Sequence, residues 1–99
     1  MMEIKKSVEN GKMVIALEGR LDTTTAPNLE AELKASIEGI QDLLFDFEAL
    51  EYISSAGLRV LLSAQKIMSK QGEMKIKNAS EEIKEVFELT GFMDILTVI

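Results

Sequence analysis

Val8-Glu9-Asn10-Gly11-Lys12-Met13-Val14-Ile15-Ala16-Leu17 is the stretch on which the fold turns. Asn10-Gly11 sits between two strand-like runs, and a type I′ hairpin turn needs positive φ at both central positions. Upstream, Met2, Ile4 and Val8 alternate with polar residues, as in a strand with one wet face. Downstream, five apolar residues in a row (Met13 to Leu17) predict a strand that is covered on both faces or lies centrally in the sheet. The chain therefore opens on an antiparallel hairpin.

Past Gly19-Arg20-Leu21-Asp22 the period changes. Leu29, Leu33, Ile37 and Ile40 follow steps of four, four and three, placing them on one side of a helix. Threonines 23 to 25 and Pro27 suit its start, since the first turn needs no backbone donor there, and Gly39 suits its end. Leu43-Leu44-Phe45-Asp46-Phe47 reads as a short buried strand. Ser54-Ser55-Ala56-Gly57 then opens a second helix running to about Lys70. Leu58, Leu61, Leu62 and Met68 make one apolar stripe on it and Val60, Ala64 and Ile67 another, more than a single core contact requires. Met74 and Ile76 predict an edge strand and Gly72 the break before it. Ser80 caps a third helix, where Glu81 and Glu82 meet its positive end. Ile83, Val86 and Phe87 face the core and Gly91 stops this helix. Residues 94–99 read equally as a last strand or a helical turn.

The order β-β-α-β-α-β-α, with a possible final strand, predicts a single α/β domain spanning residues 1–99. Its mixed sheet has four to five strands, a hairpin followed by parallel strands, packed with three or more helices. Sequential strand order would put every helix on one face and leave the other partly apolar and open. A chain of 99 residues with 46% hydrophobic content and one proline builds one core, not two. It has no cysteine and no histidine, which removes disulfides, thiolate nucleophiles, imidazole bases and the usual zinc sites. Neither a metal nor a cofactor is expected. No apolar run approaches the roughly 20 residues of a membrane span, and no leader-like segment opens the chain, so the expected location is the cytoplasm. A net charge of −6 disfavours direct nucleic-acid binding.

Ligands of parallel sheets gather at the carboxyl ends of the strands. By element order Asp22, Asp46 and Asn78, with Thr23, Thr24, Thr25, Ser54 and Ser55, are predicted to share one rim. Ser54 or Ser55 either caps a helix or is a modification site. A phosphoryl group on a first-turn serine adds about −1.5 to −2 charges where a helix tolerates them, and a docked acidic or apolar partner would feel the change. Serine hydrolysis lacks its histidine, no Gly-rich phosphate loop precedes a lysine, and Asp22 with Asp46 reads as structural rather than as a catalytic pair.

Tyr52-Ile53-Ser54-Ser55-Ala56-Gly57-Leu58-Arg59-Val60-Leu61-Leu62 resembles the signature segment of the bacterial anti-sigma factor antagonists, the STAS-domain proteins. Glu18 to Ala26, Leu43 to Phe47 and Phe87 to Phe92 resemble further parts of that family, so the resemblance covers nearly the whole chain. It implies a non-enzymatic partner switch. The unphosphorylated form binds an anti-sigma factor that is also a serine kinase, phosphorylation at the start of the second helix releases it, and a PP2C-type phosphatase resets the system. Alignment on Gly57 puts the phosphoacceptor at Ser55, with Ser54 the second choice, standing where the family often has aspartate. Partner contacts are then expected at Asp22, Thr23, Thr24, Ser54, Ala56, Gly57, Leu58 and Arg59, with Asp46 and Asn78 in support and the free chain a monomer. The alternative is a constitutive STAS scaffold subunit of a transport or signalling complex, without a switch.

Overall fold

The computed structural model describes residues 1–99. Strand β1 (Met2–Glu9) turns into β2 (Lys12–Leu21), followed by α1 (Ala26–Ser36), β3 (Asp42–Ile53), α2 (Ser55–Gln71), β4 (Glu73–Lys77) and α3 (Glu81–Thr90). The strands form one sheet in the order β1-β2-β3-β4. β1 and β2 are antiparallel around the predicted turn, where Asn10 (φ 50°) and Gly11 (φ 79°) both take the left-handed conformation. β2–β3 and β3–β4 are parallel.

The alternation of each strand sets the two faces of the sheet. Met13, Ile15 and Leu17 of β2, Leu43, Phe45 and Phe47 of β3, and Met74 and Ile76 of β4 are buried. They join Leu29 and Leu33 of α1, Leu58, Leu61 and Met68 of α2, and Ile83 and Phe87 of α3 in one cluster of 25 residues. The core thus lies on one side of the sheet. On the other, Val14, Ala16 and Leu44 are only half-buried, beside Lys5, Lys75 and Lys77 on neighbouring strands. The open, partly apolar second face expected from sequence is present.

One expectation changes, and one open reading is decided. The third strand runs for 12 residues, through Ile53, rather than ending near Phe47. A register shift, in which Ala16 pairs with Asp46 but Glu18 with Ala49, inserts an extra β3 residue. That bulge breaks the alternation and hides the second half of the strand from a periodicity reading. The C-terminal segment does both things that were open for it. Phe92–Asp94 is a single 3₁₀ turn, and Val98 then makes one parallel bridge to Ile76, with the Ile76 N–H donating to Thr97 O (2.9 Å) and the Ile99 N–H to Ile76 O (2.8 Å).

Candidate functional site

The site is built where β2 and β3 end together. Leu21 pairs with Ile53, and the Ser54 N–H donates to Leu21 O (2.9 Å), so the start of α2 is fastened to the loop after β2. Gly57 makes that approach possible. A Cβ there would lie 2.6 Å from Leu21 Cγ and 2.9 Å from Ile53 Cγ1, closer than side-chain atoms approach each other.

The loop after β2 is held by its own side chains. Asp22 Oδ1 accepts from the Thr24 hydroxyl (2.8 Å), the Thr24 N–H (3.0 Å) and the Thr25 N–H (3.1 Å), and lies 3.1 Å from the Thr25 hydroxyl oxygen. The Thr24 hydroxyl bond, reinforced by those from Thr25 and the Thr24 amide, outweighs desolvation and holds the Asp22 carboxyl below its ordinary range. Thr25, the one buried polar residue, donates from its hydroxyl to Arg20 O (2.7 Å) and accepts from the Asp22 N–H (2.8 Å). It stands at the N-cap of α1 but caps nothing; its hydroxyl pins the loop instead. Sequence reading placed Thr25 among the hydroxyls of the rim and missed this role, although aspartate followed by threonine three residues on is the spacing of such a local turn. The Arg20 guanidinium lies 4.1 Å from the centre of the Tyr52 ring and 3.9 Å from Asp22 Oδ2.

At the start of α2 the two serines divide. Ser54 occupies the N-cap, but its hydroxyl oxygen is buried, makes no cap hydrogen bond and has no partner. Ser55, the first helical residue, is exposed. Thr23, Pro27 and Glu30 line one wall of a shallow open groove, and Ala56, Arg59 and Ser63 the other. Asp22, Thr23, Thr24, Ser54, Ser55, Ala56 and Arg59 are therefore gathered at one end of the molecule.

Four expected members are placed differently. Gly57 and Leu58 are buried, Leu58 with 6% of its surface exposed, because the close seating of α2 on Leu21 and Ile53 draws both under the site. They support the surface without lining it. Asp46 and Asn78 do meet, with the Asn78 side-chain amide donating to Asp46 Oδ1 (3.0 Å), but away from the serines. Asp46 lies mid-strand, opposite Lys77, whereas Leu21 pairs with Ile53 seven residues further along β3, about 20 Å away at strand rise. Asp46 thus braces the end of β4, not the serine loop. Burial pushes its carboxyl up, but the Asn78 amide, the Glu48 N–H and the Lys77 charge together hold it below the ordinary value.

The model of the STAS domain family matches residues 1–99, and the chain belongs to that family. Within it, the affiliation is with the bacterial anti-sigma factor antagonists. The chain is 37% identical over 99 residues to BtrV of Bordetella bronchiseptica, named as a candidate anti-sigma factor antagonist, covering 98% of this chain and 85% of that protein. It is 31% identical over 98 residues to the anti-sigma-B factor antagonist of Bacillus subtilis, covering 98% and 88%. The fold matches that of SpoIIAA solved unphosphorylated (TM-score 0.77, 20% identity, covering 100% of this chain and 87% of that one). It also matches the phosphorylated Bacillus form (TM-score 0.75, 20% identity, covering 100% and 91%). No helix of the chain is long and apolar enough to cross a membrane.

Proposed function

We propose that this protein is a phosphorylation-controlled antagonist of an anti-sigma factor, acting by binding and not by catalysis, and that Ser55 is its switch. The observation that carries the reading is the contrast between the serines: Ser55 is exposed at the first residue of α2, while the Ser54 hydroxyl oxygen is enclosed by protein. Unmodified, the surface made by Asp22, Thr23, Thr24, Ser55, Ala56 and Arg59 docks an anti-sigma factor that is also a serine kinase, freeing the sigma factor. The kinase transfers the γ-phosphoryl group of ATP to Ser55 Oγ: the bond to the β-phosphate breaks, ADP leaves, and the hydroxyl proton is released. The new group adds about −1.5 to −2 charges at a helix N-terminus, where negative charge is favoured by about 0.3–1 kcal/mol, so the fold is retained. The partner meets the same charge as repulsion and as a desolvation penalty, and leaves. A PP2C-type phosphatase hydrolyses the ester and restores the hydroxyl. The cycle operates in the cytoplasm, with the free chain a monomer, and uses no metal or cofactor on this chain and no direct nucleic-acid contact.

The test is incubation with the cognate kinase and ATP, phosphate localisation by mass spectrometry, and pull-down of the anti-sigma factor by wild type and Ser55→Asp. Phosphate on Ser55 and loss of capture by Ser55→Asp are expected. Capture that survives Ser55→Asp and is indifferent to ATP would instead support a constitutive scaffold subunit.

A further inference from the structure

Arg59 stands one helical turn beyond Ser55, at i+4, and both are exposed. Residues at this spacing lie on one helix face with Cβ atoms about 5–6 Å apart, within reach of an arginine side chain. Arg59 makes no ion pair and no side-chain hydrogen bond, although acids outnumber bases 17 to 11 and Glu30 lines the same groove. The other arginine near this end, Arg20, is engaged by Asp22 and Tyr52. The amides of Ala56 and Gly57 donate to no protein acceptor, because the Ser54 hydroxyl leaves the helix start uncapped. The loop amides of Thr24 and Thr25, by contrast, are already taken by Asp22.

From this arrangement we infer that a phosphoryl group on Ser55 is captured within its own helix by the Arg59 guanidinium, so that phosphorylation withdraws a basic side chain from the docking surface as well as adding negative charge. The inference rests on the proposed switch at Ser55 and specifies how it is read. Arginine presents a planar fork of donors that matches phosphate oxygens, and an acceptor N-terminal to a base at i,i+4 is the favoured orientation. Asp22 and Glu30 bring like charge to this end of the molecule; the bases there are Arg59, which is unpaired and on the face of Ser55, and Arg20, which is held by Asp22 and Tyr52.

The experiment installs phosphoserine at position 55 during synthesis, so no kinase is needed, and follows the phosphate by ³¹P NMR titration. It compares the otherwise wild-type chain with Arg59→Gln, Arg59→Lys and Lys66→Gln. The second ionisation, ordinarily near pH 6, is expected about half a unit lower with Arg59 in place than in the Arg59→Gln variant, as an adjacent opposite charge dictates. Arg59→Lys should keep part of that shift. Lys66→Gln, the same loss of charge further along α2, should leave it in place. Equal values with and without Arg59, or an equal effect from Lys66→Gln, overturn the inference. Anti-sigma factor capture by the phosphorylated and unphosphorylated chains, measured alongside, tests the switch separately: loss of capture without the NMR shift would refute only the role of Arg59.

Discussion

Replacing Gly57 by alanine sets two physical effects against each other, and the structure decides between them. Helix propensity alone favours alanine over glycine by up to about 1 kcal/mol. Packing opposes it. The new Cβ would lie 2.6 Å from Leu21 Cγ, 2.9 Å from Ile53 Cγ1 and 3.0 Å from Leu21 Cδ2, so the tightest contact falls 0.8 Å short of the 3.4 Å at which ordinary contact begins. Leu21 and Ile53 are 0% and 4% exposed, and the atom struck on Leu21 is its branch point, which no rotation of the terminal methyls moves aside. The start of α2 must lift from the sheet, at an overpacking cost of about 1–3 kcal/mol. The net expectation is a loss of about 1–2 kcal/mol, which in a domain of this size lowers Tm by roughly 4–8 °C per kcal/mol. Calorimetry or urea unfolding followed by circular dichroism measures it. In a Leu21→Ala background, itself less stable because Leu21 is fully buried, Gly57→Ala should cost less than it does in the wild type, since the added methyl then occupies space the leucine vacated. A Gly57→Ala variant as stable as wild type, or more so, would refute the argument that contact with Leu21 and Ile53 dictates glycine here.

Thr25→Val keeps shape but strands Arg20 O and the Asp22 N–H, and should cost about 1–3 kcal/mol by urea unfolding, with Thr25→Ser recovering most of it. Ser55→Asp should leave Tm unchanged or slightly raised, because a carboxylate in the first turn of α2 meets the helix's positive end; a clear fall would argue against the site tolerating charge. Asp22 and Asp46 both have lowered folded-state pKa values, so the stability they supply is complete above the unfolded value near 3.9 and is lost as pH falls through the folded values. Asp46→Asn should accordingly flatten the fall of Tm on acidification below about pH 4, measured by scanning at a series of pH values.

How legible the molecule was in its sequence differs from element to element. The Asn10-Gly11 turn was readable because only a few residues accept positive φ, and two of them stand side by side between strands. The start of α2 was readable because hydroxyl and small residues precede a long apolar periodicity. The second half of β3 was not, since Glu48-Ala49-Leu50-Glu51-Tyr52-Ile53 follows a bulge and no longer alternates. The same bulge misplaced Asp46, which sequence order put at the rim beside Ser55 and the sheet register puts beside Asn78. Leu58 read both as a core stripe residue and as a docking residue; the depth at which Gly57 seats the helix made it core.

By itself, then, the sequence determined the order of elements, the hairpin, the apolar faces and the presence of two serines at a helix start, because each depends on residues near one another in the chain. Which serine hydroxyl is enclosed, which residues lie under the surface rather than on it, and which charges remain unpaired were decided only when β2, β3 and α2 came together. Those properties depend on atoms brought close across the fold, and no local pattern encodes such distances.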